Sequence, residues 1–141
     1  MVGLLPIENI CETENNVRNF LSEEFPRFIV KAGYSTVDIQ SPKFSAIPHG
    51  TSVSNGVENN MIEHIDAPRI VNAVIDAINR CPEKYRKILK LCYVDQLSES
   101  AILARLNYER STYYRLKALS LNWFADAFEN TIDLHSYKKR D

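Results

Sequence analysis

Apolar side chains recur every three to four residues through most of the second half of this chain, a period that only packed helices satisfy. Ile70, Val71, Val74, Ile75 and Ile78 form one stripe, and Tyr85, Ile88, Leu89, Cys92 and Tyr93 form the next. Tyr113, Leu116, Phe124, Ala127 and Phe128 share the inner face of a last helix from about 109 to 129. Helix punctuation falls between the stripes. Pro68 either kinks a helix or opens a new one, Cys81-Pro82 ends one and starts another, and Asp95-Gln96-Leu97 is a turn. Ser98 is a good N-cap, and Asn107 tolerates the left-handed conformation that a helix C-terminus often needs. Met61, Ile62 and Ile65 make a shorter stripe upstream. The predicted fold class is all-α.

The N-terminal third is less regular. Residues 9–30 predict a helix with Thr13 as N-cap and Val17, Phe20, Leu21, Phe25 and Phe28 on its apolar face, kinked or split at Pro26. Residues 31–56 then turn rich in proline, glycine, serine and threonine, with turn signals at Ser41-Pro42, Pro48-His49-Gly50 and Asn55-Gly56. Weak alternation from Val37 to Ile39 is the one hint of a strand. The expected organisation is an N-terminal helical segment (1–33), a linker or arm (34–56), a helical domain (57–130) and a flexible tail (131–141) ending in a solvated Lys138-Lys139-Arg140.

Composition narrows the function classes. A 141-residue chain with 45% hydrophobic residues can bury a core. No apolar run approaches the length of a membrane span, and MVGLLPIENI lacks the basic start of a signal peptide, so a cytoplasmic protein without membrane contact is expected. Cys11, Cys81 and Cys92 share no Cys-x-x-Cys spacing and read as free thiols. His49, His64 and His135 are scattered, so neither a metal nor another cofactor is expected. With no apolar-set carboxylate pair, no Cys–His pairing and no glycine-rich phosphate loop, an enzyme is not expected.

Net charge is −1, but it is segregated: residues 1–66 carry four basic and nine acidic side chains, whereas 80–117 carry nine basic and four acidic ones. A polyanionic partner would meet the second half. There, residues 98–106 and 109–119 read as a short helix, a three-residue turn and a second helix, the arrangement that places the second helix in a DNA major groove. Tyr108, Tyr113 and Leu116 can pack on Ile102, Leu103 and Leu106. Arg110, Ser111, Tyr114 and Arg115 fall on the outer face, with Lys117 to the side. Arginine suits guanine by its two-pronged donor geometry, and Ser111 and Thr112 near the helix start suit a phosphate. Arg105, Arg86 and Lys87 are candidates for phosphate contact. Any amphipathic helix pair with a solvated charged face would show the same periodicity.

Here the chain resembles a known family. "LSESAILARLNYERSTYYRLK" resembles the C-terminal helix-turn-helix of the ArpU family of phage-type transcriptional regulators, itself similar to region four of bacterial sigma factors. Upstream, "SPKFSAIPHGTSVSNGVENNMIEHIDA" is similar to that family's linker, and "AINRCPEKYRKILKLCYVDQLS" to the proline-started helix that follows it. The departures are Ala101-Ile102-Leu103 where the family reads Glu-Ile-Ala, Asn107 for the glycine of the turn, and Glu109 for the serine opening the second helix. The resemblance implies sequence-specific binding of double-stranded DNA and control of phage or prophage late or lysis-type genes. Two other readings stand beside it: an accessory that docks on RNA polymerase with weak DNA affinity, and a small terminase-like DNA-packaging subunit. Tight binding by one such motif would favour a homodimer.

Overall fold

The computed structural model describes residues 9–41 and 66–137. The 61–65 stripe, His49 and His64, most of the expected linker and Lys138-Lys139-Arg140 lie outside the described residues. Among the described residues there are seven α-helices: α1 (Ile10–Asn19), α2 (Phe25–Lys31), α3 (Thr36–Gln40), α4 (Ala67–Arg80), α5 (Glu83–Leu89), α6 (Glu99–Leu106) and α7 (Arg110–Phe128). Among the described residues there is no strand, and the fold is all-α.

Several helix ends follow from their sequence. Asp66 caps α4 by accepting the Arg69 N–H, which places Pro68 in the first turn, where its missing N–H costs nothing. Ser98 caps α6 through the Ala101 N–H at 3.2 Å. Asn107 closes α6 in the left-handed region (φ 60°), with its N–H on the Leu103 carbonyl at 2.8 Å. Pro26 acts as expected of a proline in a helix. It cannot donate an N–H, and the turn before it, Phe20–Glu24, widens to a π-helix before α2 begins at Phe25. A second π segment, Lys90–Val94, extends α5.

Two local expectations are corrected. Val37–Ile39 belongs to α3, because Ser35 and Asp38 form a reciprocal capping box that opens a helix. The N-cap of α1 is Asn9, whose side chain accepts the Glu12 N–H at 3.1 Å. Thr13 lies one turn inside, buried, with its N–H already on the Asn9 carbonyl. On α7, Trp123 is 43% exposed and stacks on Tyr85 of α5 at 5.8 Å.

The buried side chains form two clusters. The larger joins Val17, Phe20, Leu21, Phe25 and Ile29 from the N-terminal helices to α4 and to Leu121, Phe124, Ala125 and Phe128 of α7. The N-terminal helices therefore share one core with α4 and the second half of α7. The smaller cluster is Ile88, Leu91, Ile102, Tyr113 and Leu116. α7 runs through both, its first half in the small cluster and its second half in the large one. No helix among the described residues is long and apolar enough to cross a membrane.

The turn before α6 carries backbone strain at Gln96, whose φ is +56°. An unbranched but Cβ-bearing residue there costs about 1–3 kcal/mol relative to relaxed backbone, and glycine removes that penalty. Gln96→Gly is expected to raise the midpoint of thermal unfolding, and an unchanged or lower midpoint would count against it.

Candidate nucleic-acid interface

α6, the turn Asn107-Tyr108-Glu109 and α7 form a compact unit over the small cluster. Ile102, Tyr113 and Leu116 are buried, with Leu103, Leu106 and Tyr108 packed around them. Burial pushes the Tyr113 hydroxyl above the ordinary phenol value, and the neighbouring Cys92 adds to the effect. That packing leaves the opposite side of the first turns of α7 to solvent.

Arg110, Ser111, Tyr114 and Arg115 are all exposed there, whereas Thr112 is half-buried. Two of them converge on a side chain that sequence reasoning did not single out. Glu99, in the first turn of α6, takes Arg110 Nε at 3.2 Å on Oε2 and the Tyr114 hydroxyl at 2.8 Å. The hydrogen bond to Glu99 is the main reason that the Tyr114 phenol titrates above its usual value. Arg115 has no ion pair among the described residues. Lys117 departs from the group. It is half-buried, and its ammonium lies 5.6 Å from the Tyr93 ring centre and 5.9 Å from that of Tyr113.

A second basic feature lies beside this face. Lys84 and Lys87 of α5 and Arg105 of α6 line a groove of about 380 Å³ with Glu83, Leu106 and Tyr108. Lys87 pairs with Glu83 at 3.3 Å, an exposed contact that competes little with an incoming anion. Arg86 turns elsewhere, donating from Nη1 to the Asn79 carbonyl at 3.3 Å near the end of α4. Of the residues read as phosphate contacts, Lys87 and Arg105 are brought together and Arg86 is not. Lys84 was missed, although its spacing of three from Lys87 puts both on one helix face.

The remaining titratable cluster belongs to the C-terminal segment. Thr131–Tyr137, expected to be part of a flexible tail, packs back on α1. Asn9 N–H donates to the Ser136 carbonyl at 2.7 Å, Ser136 N–H to Thr13 Oγ1 at 2.9 Å, and Asn16 Nδ2 to the Leu134 carbonyl at 3.0 Å. The His135 ring is buried, with Asp126 2.8 Å from Nε2, and Asp133 at 2.7 Å and Glu129 at 3.4 Å from Nδ1. Asp126, Glu129 and His135 thus place three potential metal donors within 4.8 Å of one another. Both ring nitrogens already face carboxylates, and that geometry serves to anchor the segment.

Burial of Asp133 opposes its ionisation, but hydrogen bonds from the His135 ring and backbone and from Tyr137 outweigh it and lower the carboxyl below its ordinary value. A lowered carboxyl stabilises above the unfolded value of 3.8 and loses that contribution as pH falls through the folded one. The amide resonances of His135 and Ser136 are therefore expected to shift together in acid, below the ordinary aspartate range. Asp133→Asn should abolish that step; its persistence would assign it to another group.

The comparisons with known proteins fall on the same part of the chain. A family of proteins of unknown function, DUF1492, matches residues 51–123, which include α4, α5, α6 and most of α7. ArpU of Enterococcus hirae, named as an autolysin regulatory protein, is 28% identical over 121 residues, covering 84% of this chain and 88% of that protein. No solved structure matches. The helices that carry the exposed arginines and the basic groove are those of the family match, and by that match the chain belongs to the DUF1492 family.

Proposed function

We propose that this protein is a sequence-specific binder of double-stranded DNA that regulates transcription of phage or prophage genes of the late or lysis type. It acts in the cytoplasm, without catalysis or cofactor. The observation that carries this reading is the exposed set Arg110, Ser111, Tyr114 and Arg115 on the first turns of α7, flanked by the groove of Lys84, Lys87 and Arg105. The first set offers donors to base edges and the second offers charge to phosphates. The name of the Enterococcus hirae relative supports a regulatory role, and the sequence resemblance to sigma region four supports the mode of docking.

The two sets predict different losses. Arg115→Ala should relax preference at one base pair by about 1–3 kcal/mol. Lys87→Ala should weaken all sequences alike and lower the salt slope of binding by about one unit. Measured on a selected site and on random DNA at two salt concentrations, equal effects of the two substitutions would overturn the assignment.

Docking on RNA polymerase is the second reading. The exposed Trp123, stacked on Tyr85, and the exposed Leu119 favour a protein partner. Polymerase capture that persists at high salt without DNA would support it.

A further inference from the structure

Glu99 holds the recognition face in place from the neighbouring helix. Its carboxylate receives the Tyr114 hydroxyl at 2.8 Å on both oxygens and Arg110 Nε at 3.2 Å on Oε2, so two side chains of α7 are tied to one side chain of α6. Arg110 remains 67% exposed and Glu99 38%. Contacts this open to water stabilise a fold little, and the consequence of this one is conformational.

A guanidinium has five donors in a rigid fork. Here the nitrogen that meets the carboxylate is Nε, and the terminal nitrogens are the pair that matches the O6 and N7 acceptors of guanine in the major groove. A free arginine must give up its rotamer freedom when it binds; one already fixed by Glu99 has lost much of it beforehand. Charge points the same way. A carboxylate facing DNA phosphate is repelled, whereas over base edges Arg110 neutralises it.

We infer that Glu99 is a positioning residue that presents Arg110 as a two-pronged guanine reader, and that the bound DNA carries a G·C pair opposite the first turn of α7. The inference rests on the DNA-binding reading and adds to it both a residue and a base.

The test begins with selection of a preferred site from random double-stranded DNA by the full-length wild-type protein. Binding is then measured for that site and for each single base-pair replacement, with wild type, R110A, E99A, E99Q and the R110A/E99A double variant. Far-UV circular dichroism checks that each variant is folded. For the wild type, replacing one guanine is expected to weaken binding about 5- to 150-fold. E99A should lose most of that discrimination at the same base pair and keep it at the others. E99Q, whose amide oxygen can still accept from Nε, should retain part of it. Adding E99A to R110A should change nothing further there.

Tighter binding of every sequence by E99A and E99Q, with preferences unchanged, would make Glu99 a competitor for Arg110 and overturn the inference. Uniform weakening of all sites by E99A would make it merely structural and overturn it as well. A wild-type protein that enriches no sequence removes the DNA-binding reading beneath it, an outcome distinct from enrichment of a site whose guanine preference ignores Glu99.

Discussion

Phe124→Ala is expected to lower the free energy of unfolding by about 3–5 kcal/mol, the range for removing a fully buried aromatic ring. Phe124 has no exposed surface, and its ring stacks on Phe128 at 4.9 Å. Phe128 in turn meets Phe20 at 5.2 Å, at the widened turn between α1 and α2. The Phe124 side chain therefore supports the contact that ties the end of α7 to the N-terminal helices. A domain of this size is stable by only about 5–15 kcal/mol, so the loss takes a large share of the total. Urea unfolding followed by circular dichroism measures it. A loss under about 1 kcal/mol would mean that the neighbours collapse into the space and that the aromatic chain is dispensable. Phe128→Ala should couple to it, the double substitution costing less than the two single costs added, because each ring is the other's neighbour.

Much of this core is legible in the sequence, because burial on one side of a helix writes itself as a period of 3.6. Ile70, Val71, Val74, Ile75 and Ile78 are all buried in α4, and Tyr113, Leu116, Phe124 and Phe128 in α7. Pro68, Ser98 and Asn107 are legible too, each through a local backbone requirement. What was not legible depends on partners distant in sequence. Thr13 has the chemistry of a cap, and it is the contact with Ser136, far along the chain, that gives its hydroxyl another use. The C-terminal segment has no helical periodicity because it is not a helix: hydrogen bonds and the His135 cluster hold it, with Ile132 and Leu134 packed on the larger core cluster. Glu99 is fifteen residues from Tyr114, and no spacing rule joins them. Val37 to Ile39 failed for the opposite reason, since three alternating residues weigh less than the capping box around them.

Ile102→Ala is the prediction that joins stability to the candidate interface. Ile102 is the single buried residue of α6, 1% exposed, packed among Ile88, Leu91, Tyr113 and Leu116. Truncating a buried isoleucine costs about 2–5 kcal/mol, and α6 has no other buried side chain to offset it. The larger cluster does not include Ile102, so the cost should be taken locally, as detachment of α6 rather than global unfolding. Amide exchange distinguishes the two. The Ile102 and Asn107 amides, bonded to the Ser98 and Leu103 carbonyls, should lose protection while those of Val74 and Phe124 keep it. Loss of protection everywhere by the same amount would mean that the two clusters unfold as one. Detachment also carries Glu99 away from Arg110 and Tyr114. On the proposed DNA-binding reading, the variant should keep a salt-dependent attraction to DNA through α5 and α7 but lose preference among sequences, because the arginine proposed to read a base is no longer held in place to do so.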